Sequence, residues 1–327
     1  MKKRQIIITD HFFEVAVTTF FKTAANNTNY LISKEDFKSQ FKPNLRNNQY
    51  LSMNRFLALC LSLNIFFQSA FAQVTARDKD IKTPYKTSLV KDGAIIAGGV
   101  GLTALGVNLI QNKNNLTIAK LATKTLDRVP FFDRGSAGFY SEKADNDSYI
   151  PFQASFGMPV FMALINKNER HKIGQILVLY TETMAITGAL FTMSTGNVYR
   201  SRPYVYNTSL SIEKRSDKNA QRAFFAGHTA ATAAATFFMA KVFRDFNPGS
   251  KAVPYVWAFA ASVPAVVGYL RYKAGMHFLS DNLLGYAIGA GAGIFVPQLH
   301  KSKMLKNVNF APQAGVNSAG LAVTYRF

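Results

Sequence analysis

Six apolar stretches, at about 93–110, 150–165, 173–195, 223–243, 252–270 and 279–299, limit what this chain can fold into. Each is long enough for a helix, and none alternates apolar and polar residues with the period of two that a half-buried strand requires. They are rich in Ala, Gly, Leu and Phe, as in "HTAATAAATFF" and "GYAIGAGAG". Small residues let helix backbones approach closely, a packing role that needs no function. The predicted architecture is all-α, a bundle of about six helices in one domain over 93–300. A C-terminal strand-like tail follows at 301–327.

That tail differs in kind from the bundle. In "SAGLAVTYRF", Leu321, Val323, Tyr325 and Phe327 alternate with Ala322, Thr324 and Arg326, which reads as one amphipathic strand. It looks like the terminal strand of an outer-membrane barrel, yet one strand closes no barrel and nothing upstream alternates enough to complete one. An edge strand or a loosely ordered tail is the other reading.

The N-terminal part reads as an export signal in an unusual position. From Met53, "MNRFLALCLSLNIFFQSAFAQ" has a basic start at Arg55, an apolar run, and the small-x-small end Ala70-Phe71-Ala72 before Gln73. Residues 53–72 are therefore predicted to be a signal peptide, 1–52 an upstream extension outside the fold, and 73–92 a charged linker. The alternative, a retained anchor at 56–72, is short for a span. The one cysteine, Cys60, lies in this segment. No disulfide framework and no Cys-based metal site is then available, so chemistry must come from His, Arg, Asp, Glu or hydroxyl groups.

A formal charge of +20 suits a nucleic-acid binder, a membrane-surface protein or an enzyme for anionic substrates. The basic residues are scattered between apolar runs and no nucleic-acid module is recognisable, so nucleic acid is not an expected partner. The polar residues that interrupt the apolar pattern are more informative. "RYKAGMHFLSD" sets Arg271, His277 and Asp281 just before and inside the last stretch. With a helix starting near Leu279, Asp281 can reach back to one nitrogen of His277, fixing the tautomer and freeing the other nitrogen's lone pair. "YRSRPYVYN" supplies Arg200 and Arg202, with Pro203 preventing the third helix from continuing. "RAFFAGHTA" supplies Arg222, Gly227 and His228 at the start of the fourth, where free N–H groups and the helix dipole favour a phosphate.

In an antiparallel bundle all three clusters fall at the same end, so two arginines, two histidines and an aspartate converge. Such a pocket suits phosphoryl transfer without a metal. Arg202 and Arg271 can hold the phosphate oxygens bidentately. His277 can attack phosphorus, and His228 can protonate the leaving alcohol and then activate water. No carboxylate cluster is at hand to hold Mg²⁺, so no cofactor and no metal is expected.

The three clusters resemble the signature of the type 2 phosphatidic acid phosphatase and vanadium haloperoxidase superfamily: K-x6-R-P, then P-S-G-H, then S-R-x5-H-x3-D. The third motif matches in spacing throughout, the first at Arg202-Pro203 and the second at Gly227-His228. The resemblance covers roughly residues 90 to 300. It implies that His277 is the nucleophile, Asp281 its partner and His228 the acid, with phosphate bound by Arg202, Arg271 and the Gly227 amide. The family's first lysine falls on Thr195, and its motif-two proline and serine on Phe225 and Ala226; its third-motif serine falls on Leu270. Losing the lysine and the motif-two serine removes a cation and a hydroxyl from the phosphate seat, at about 1.5–3 kcal/mol for each charged hydrogen bond. Arg200 or Arg222 is the candidate substitute.

The expected function is a metal-independent phosphatase hydrolysing a lipid phosphate or diphosphate, such as a phosphatidate, a polyprenyl diphosphate or a lipid A phosphate. The two alternatives are a soluble periplasmic acid phosphatase for small phosphoesters, and a weakly active or inactive relative with an outer-membrane structural or interaction role. The expected location is the bacterial cell envelope, either periplasmic or membrane-associated with a periplasm-facing site. Loop charge bears on this choice, because spanning proteins concentrate Lys and Arg on the cytoplasmic side. The connections 111–149 and 196–222 carry six each, whereas 166–172 and 241–251 carry three each. A bundle starting in the cytoplasm would put the richer loops outside, against that rule. A bundle that spans after a cleaved signal would put the motifs in the cytoplasm, whereas the family's membrane members face their pocket outward.

Overall fold

The computed structural model of the protein describes residues 83–301 together with the strands at 308–315 and 318–325. The upstream extension, the signal peptide, Cys60 and the linker up to residue 82 lie outside the described residues. All described residues belong to one compact unit, Phe66–Phe327.

Six long helices form the bundle: α1 (Leu89–Gln111), α3 (Glu142–Ile165), α5 (Ile173–Asn197), α7 (Gly227–Phe246), α8 (Val253–Lys273) and α9 (Leu279–Leu299). Three short ones, α2 (Ile118–Ala122), α4 (Lys167–Arg170) and α6 (Ile212–Ser216), bring the total to nine among the described residues. The expected six are thus the long helices, and the extra three are four- or five-residue turns in connections with no apolar run to announce them.

Boundaries move where polar residues do the capping. The second long helix, α3, begins eight residues before its apolar run. Ser141 accepts from the Ala144 N–H, and Glu142 and Asp145 offset the positive end of the helix. Helix α1 likewise starts at Leu89, capped by Ser88. Upstream of it Tyr85 is buried and bridges to Lys301, so the end of the expected linker is part of the fold. Helix α5 stops at Asn197, before Pro203, and the proline opens a 3-10 turn over Pro203–Tyr206. The tail is a two-stranded antiparallel hairpin, β1 (Val308–Gly315) with β2 (Ser318–Tyr325), rather than one strand. Its first strand escaped the alternation test because Pro312 and Gln313 interrupt it.

Helix α7 is the hub, with thirteen of its 20 residues buried. Helix α9 crosses it through small residues at a spacing of four. A Cβ on Gly285, Gly289 or Gly293 would stand 2.5, 2.0 or 2.6 Å from the carbonyl oxygens of Ala226, Ala230 and Ala234. Only glycine permits that approach, and it fixes the start of α9 against the start of α7. Helix α1 sits on α5 in the same way, through Gly99 against Ala185 and Gly106 against Thr192.

The outward faces are apolar. In α1 only Asp92, Gly99 and Gly106 are buried, while Leu89, Val90, Ile95, Val100, Leu102 and Leu105 face outward. Exposed Ile150 and Phe161 on α3, Tyr255 and Val266 on α8, and Leu283 and Phe295 on α9 continue the belt. Five helices, α1, α3, α5, α8 and α9, are long and apolar enough to cross a membrane. The buried hub α7 is not one of them.

Candidate active site

Because successive long helices run antiparallel, the end of α5, the start of α7 and the α8–α9 connection meet at one end of the bundle. Backbone hydrogen bonds braid them together. The Arg202 N–H donates to the Ala220 carbonyl at 2.8 Å, and the Ala223 N–H to the Arg200 carbonyl at 3.1 Å. The Ala226 N–H reaches the Asp281 carbonyl at 3.1 Å, tying the first turns of α7 and α9. Gly275, at φ +71, ends α8 in the left-handed region, where a Cβ would lie 1.8 Å from the Phe139 carbonyl oxygen. Its carbonyl accepts from the Tyr204 N–H at 3.1 Å, which joins the α8–α9 turn to the Pro203 turn. Lys113, just past α1, is buried and donates to the carbonyls of Val198 and Gln221 at 2.8 and 3.2 Å, closing the same braid from a third side.

His277 is buried, with Nδ1 2.7 Å from the Ala223 carbonyl oxygen. A carbonyl only accepts, so Nδ1 carries the proton and Nε2 keeps its lone pair. The expected partner was Asp281, and here the structure differs. The Asp281 carboxylate accepts the Phe278 N–H at 2.9 Å, capping α9, and pairs with Arg200. A capping carboxylate three residues into a helix points back at its own N-cap, and that geometry takes Asp281 away from the imidazole. Its place on His277 is taken by a main-chain group that no side-chain motif reveals.

Arg200 is committed as well. Besides Asp281 it pairs with Asp133 at 2.5 Å and donates to Ser280 Oγ at 3.0 Å. Held by two carboxylates, it does not stand in for the missing lysine. Thr195, at that lysine's position, donates to the Phe224 carbonyl at 3.0 Å. Arg271 is buried, pairs with Asp145 and donates to Ser148 at 3.5 Å, but its Nε has no partner among the described residues. Asp133 and Asp145 are site residues that the sequence reading missed: the first lies in an irregular connection, the second in the polar first turns of α3.

Arg202 is different. Its contacts are Met276 Sδ at 2.8 Å and the Arg222 carbonyl at 3.5 Å, and its Nε is buried without a partner. Among the described residues no carboxylate pairs with it. Burial and the nearby Arg271 and Arg222 charges, opposed by Tyr204 and Asp217, pull it down to about 10, still charged at neutral pH. His277 is held well below the usual imidazole range by burial, then by Arg202 and Arg271. His228 is depressed in the same way by burial, Arg271 and Arg202. The four side chains therefore share one electrostatic field. His228 begins α7 after Gly227 and lies against α3, its ring centroid 5.2 Å from Tyr149 and 4.3 Å from Phe152. Gly227 makes room for Phe191, whose ring atoms a Cβ would meet at 2.5 Å.

Arg202 and Arg271 thus set positive charge beside His277, whose Nε2 lone pair the Ala223 contact leaves unused, and beside His228. A groove of about 610 Å³ between residues 138–147 and the end of α8 runs alongside but contains none of the candidate residues.

A sequence model of the PAP2 superfamily matches residues 176–305, the stretch that holds Arg202, Gly227, His228, Arg271, His277 and Asp281. This agrees with the resemblance to the type 2 phosphatidic acid phosphatases carried by the three motifs, and supports a phosphatase-type, hydrolytic activity. No curated protein and no solved structure matches the chain.

Proposed function

We propose that the protein is a metal-independent phosphatase that cleaves a lipid phosphate or diphosphate through a phosphohistidine. The observation that carries this is Arg202, whose guanidinium Nε is buried and which has no carboxylate partner among the described residues, beside two histidines held neutral. A buried charge without a partner is costly, and a phosphate oxyanion is the ligand that removes the cost.

In this reading Arg202, the free edge of Arg271 and the N–H groups opening α7 hold the phosphate oxygens. His277 Nε2 forms a bond to phosphorus as the ester P–O bond breaks, and the leaving oxygen takes a proton from His228. Water then attacks phosphorus, the P–N bond breaks, and His228 recovers the proton. The depressed proton affinity of His228 fits this cycle. The two arginines lower it, so a bound phosphate that offsets their charge raises it, and His228 becomes an acid when substrate is present. Asp281 and Arg200 act as positioning residues that lock the start of α9.

The lipid is supported by the apolar belt and by the aromatic wall of Tyr149 and Phe152 on His228, beside exposed Ile150. An outward apolar surface of this extent is covered in a bilayer and unstable in water. With the bundle across a membrane, the phosphate seat and Leu89 lie on opposite faces. Carbonate washing is expected to leave the protein in the membrane fraction; its release would identify the non-spanning, small-phosphoester form.

The decisive assay compares the parent with His277→Ala, in EDTA, on a phosphatidate, a prenyl diphosphate and a chromogenic monoester. The parent is expected to release phosphate from a lipid substrate and to trap an acid-labile phosphoenzyme. The variant is expected to lose roughly 10⁴-fold or more in turnover. Equal release by both, or activity on the monoester alone, would overturn the reading.

A further inference from the structure

At the other end of the bundle a second polar cluster lies among helices that are otherwise apolar. Asp92 in the first turn of α1, Glu182 in α5 and His300 at the end of α9 are all buried, at 4%, 3% and 6% exposure. Their ligand atoms lie within 4.8 Å of one another. His300 Nδ1 is 2.8 Å from the Val296 carbonyl oxygen, so that nitrogen carries the proton. Nε2 faces two carboxylates, 3.4 Å from Asp92 Oδ1 and 3.4 Å from Glu182 Oε2. Glu182 Oε2 is buried and, among the described residues, has no hydrogen-bond partner.

We propose that Asp92, Glu182 and His300 bind one divalent metal ion of the zinc class, which clamps the first turn of α1 to α5 and to the end of α9. The arrangement does not suit the alternative, an imidazolium held by two carboxylates, because charge-assisted hydrogen bonds of that kind close to about 2.7–2.9 Å. The separations do suit a metal. With zinc–ligand bonds of about 2.0–2.2 Å, neighbouring ligand atoms of a tetrahedron stand about 3.3–3.6 Å apart. Two carboxylates and a neutral imidazole bring two negative charges, which a divalent ion cancels inside a low-dielectric bundle. The outer shell is in place as well: the Val296 carbonyl orients His300, and the Ser88 N–H donates to Asp92 Oδ2 at 2.8 Å, leaving Oδ1 for the ion. The imidazole selects zinc-like ions over calcium and magnesium, which prefer oxygen ligands. Three protein ligands leave a fourth position for water.

The position explains what such an ion would hold. Helix α1 buries little of itself, and the segment before it returns to the end of α9, where the Lys86 N–H meets the His300 carbonyl at 2.8 Å. The 21 residues of α9 separate this cluster from His277 by about 30 Å of helix rise. The clamp is therefore independent of the phosphate chemistry.

The test uses untagged full-length protein in detergent, stripped with chelator and titrated with Zn²⁺ against a chromophoric competitor. One equivalent is expected, with a higher melting temperature, and Co²⁺ should give the intense visible bands of a tetrahedral site. Glu182→Gln and His300→Ala should lose the bound equivalent, whereas His277→Ala keeps it. A parent that binds no stoichiometric zinc overturns the proposal without recourse to any variant. So does zinc binding that survives in both cluster variants, or magnesium or calcium bound as tightly as zinc.

Discussion

The two ends of the bundle have opposite electrostatic deficits. At one end guanidinium groups crowd two neutral imidazoles, and Arg202 has no carboxylate partner among the described residues. At the other, two carboxylates face one imidazole, and Glu182 Oε2 has no hydrogen-bond partner among the described residues. Between them lies α7, packed through alanine and threonine against a glycine ridge with no charge to contribute until Lys241. Well-packed apolar helices supply the stability that tolerates both deficits. An uncompensated charge in a stable fold marks where a ligand belongs, and its sign says which kind.

The sharpest way to break this comparison is Arg202→Met. Removing an anion-seat donor should cost roughly 10² to 10³-fold in turnover. The ligand-free variant should nevertheless melt no lower than the parent, because a half-buried charge with no carboxylate partner among the described residues has been replaced by an apolar chain of similar length. Inorganic phosphate should raise the melting temperature of the parent and of Glu182→Gln but not of Arg202→Met, whereas zinc should raise that of the parent and of Arg202→Met but not of Glu182→Gln. A destabilised Arg202→Met, or phosphate stabilisation that persists in it, would show that the guanidinium is compensated from within the protein.

How much of this was legible depended on the kind of signal. The helices showed in their apolar runs, and the meeting of Arg202, His228, Arg271 and His277 followed from motif positions at helix ends plus antiparallel order. The small residues of "GYAIGAGAG" announced a close helix approach, but that α9 makes it against α7, through glycines at a spacing of four, came only with the fold. Asp145 stayed hidden because it occupies polar turns ahead of the apolar run of α3, and Asp133 because it lies in an irregular connection. The Ala223 carbonyl on His277 was beyond reach, since main-chain partners leave no trace in side-chain spacing. The Asp92, Glu182 and His300 cluster is spread over 208 residues of sequence, and only the fold brings it together.

The smallest expected effect separates two roles for one residue. Were Asp281 the group that sets the tautomer of His277, its replacement by Asn would cost about 10⁴-fold, the scale seen when an orienting carboxylate is lost from a catalytic histidine. With the Ala223 carbonyl in that position, Asp281→Asn should only loosen Arg200 and the start of α9, for a loss of about 10-fold. The pH profile gives an independent readout. Burial is the largest cause that depresses His277; Arg202, Arg271 and His228 add to it, and only the Ala223 carbonyl opposes it. The acid limb of kcat/KM should therefore lie well below the usual imidazole range in parent and variant alike. Stability has its own sign. Above about pH 6.5 both folded and unfolded histidines are neutral; below it the unfolded chain takes up protons that buried His277 and half-buried His228 refuse, so stability falls as pH falls. A limb displaced by Asp281→Asn, or a loss near 10⁴-fold, would return Asp281 to the imidazole; an unmoved limb with a modest loss leaves the main-chain carbonyl as the group that holds the nucleophile.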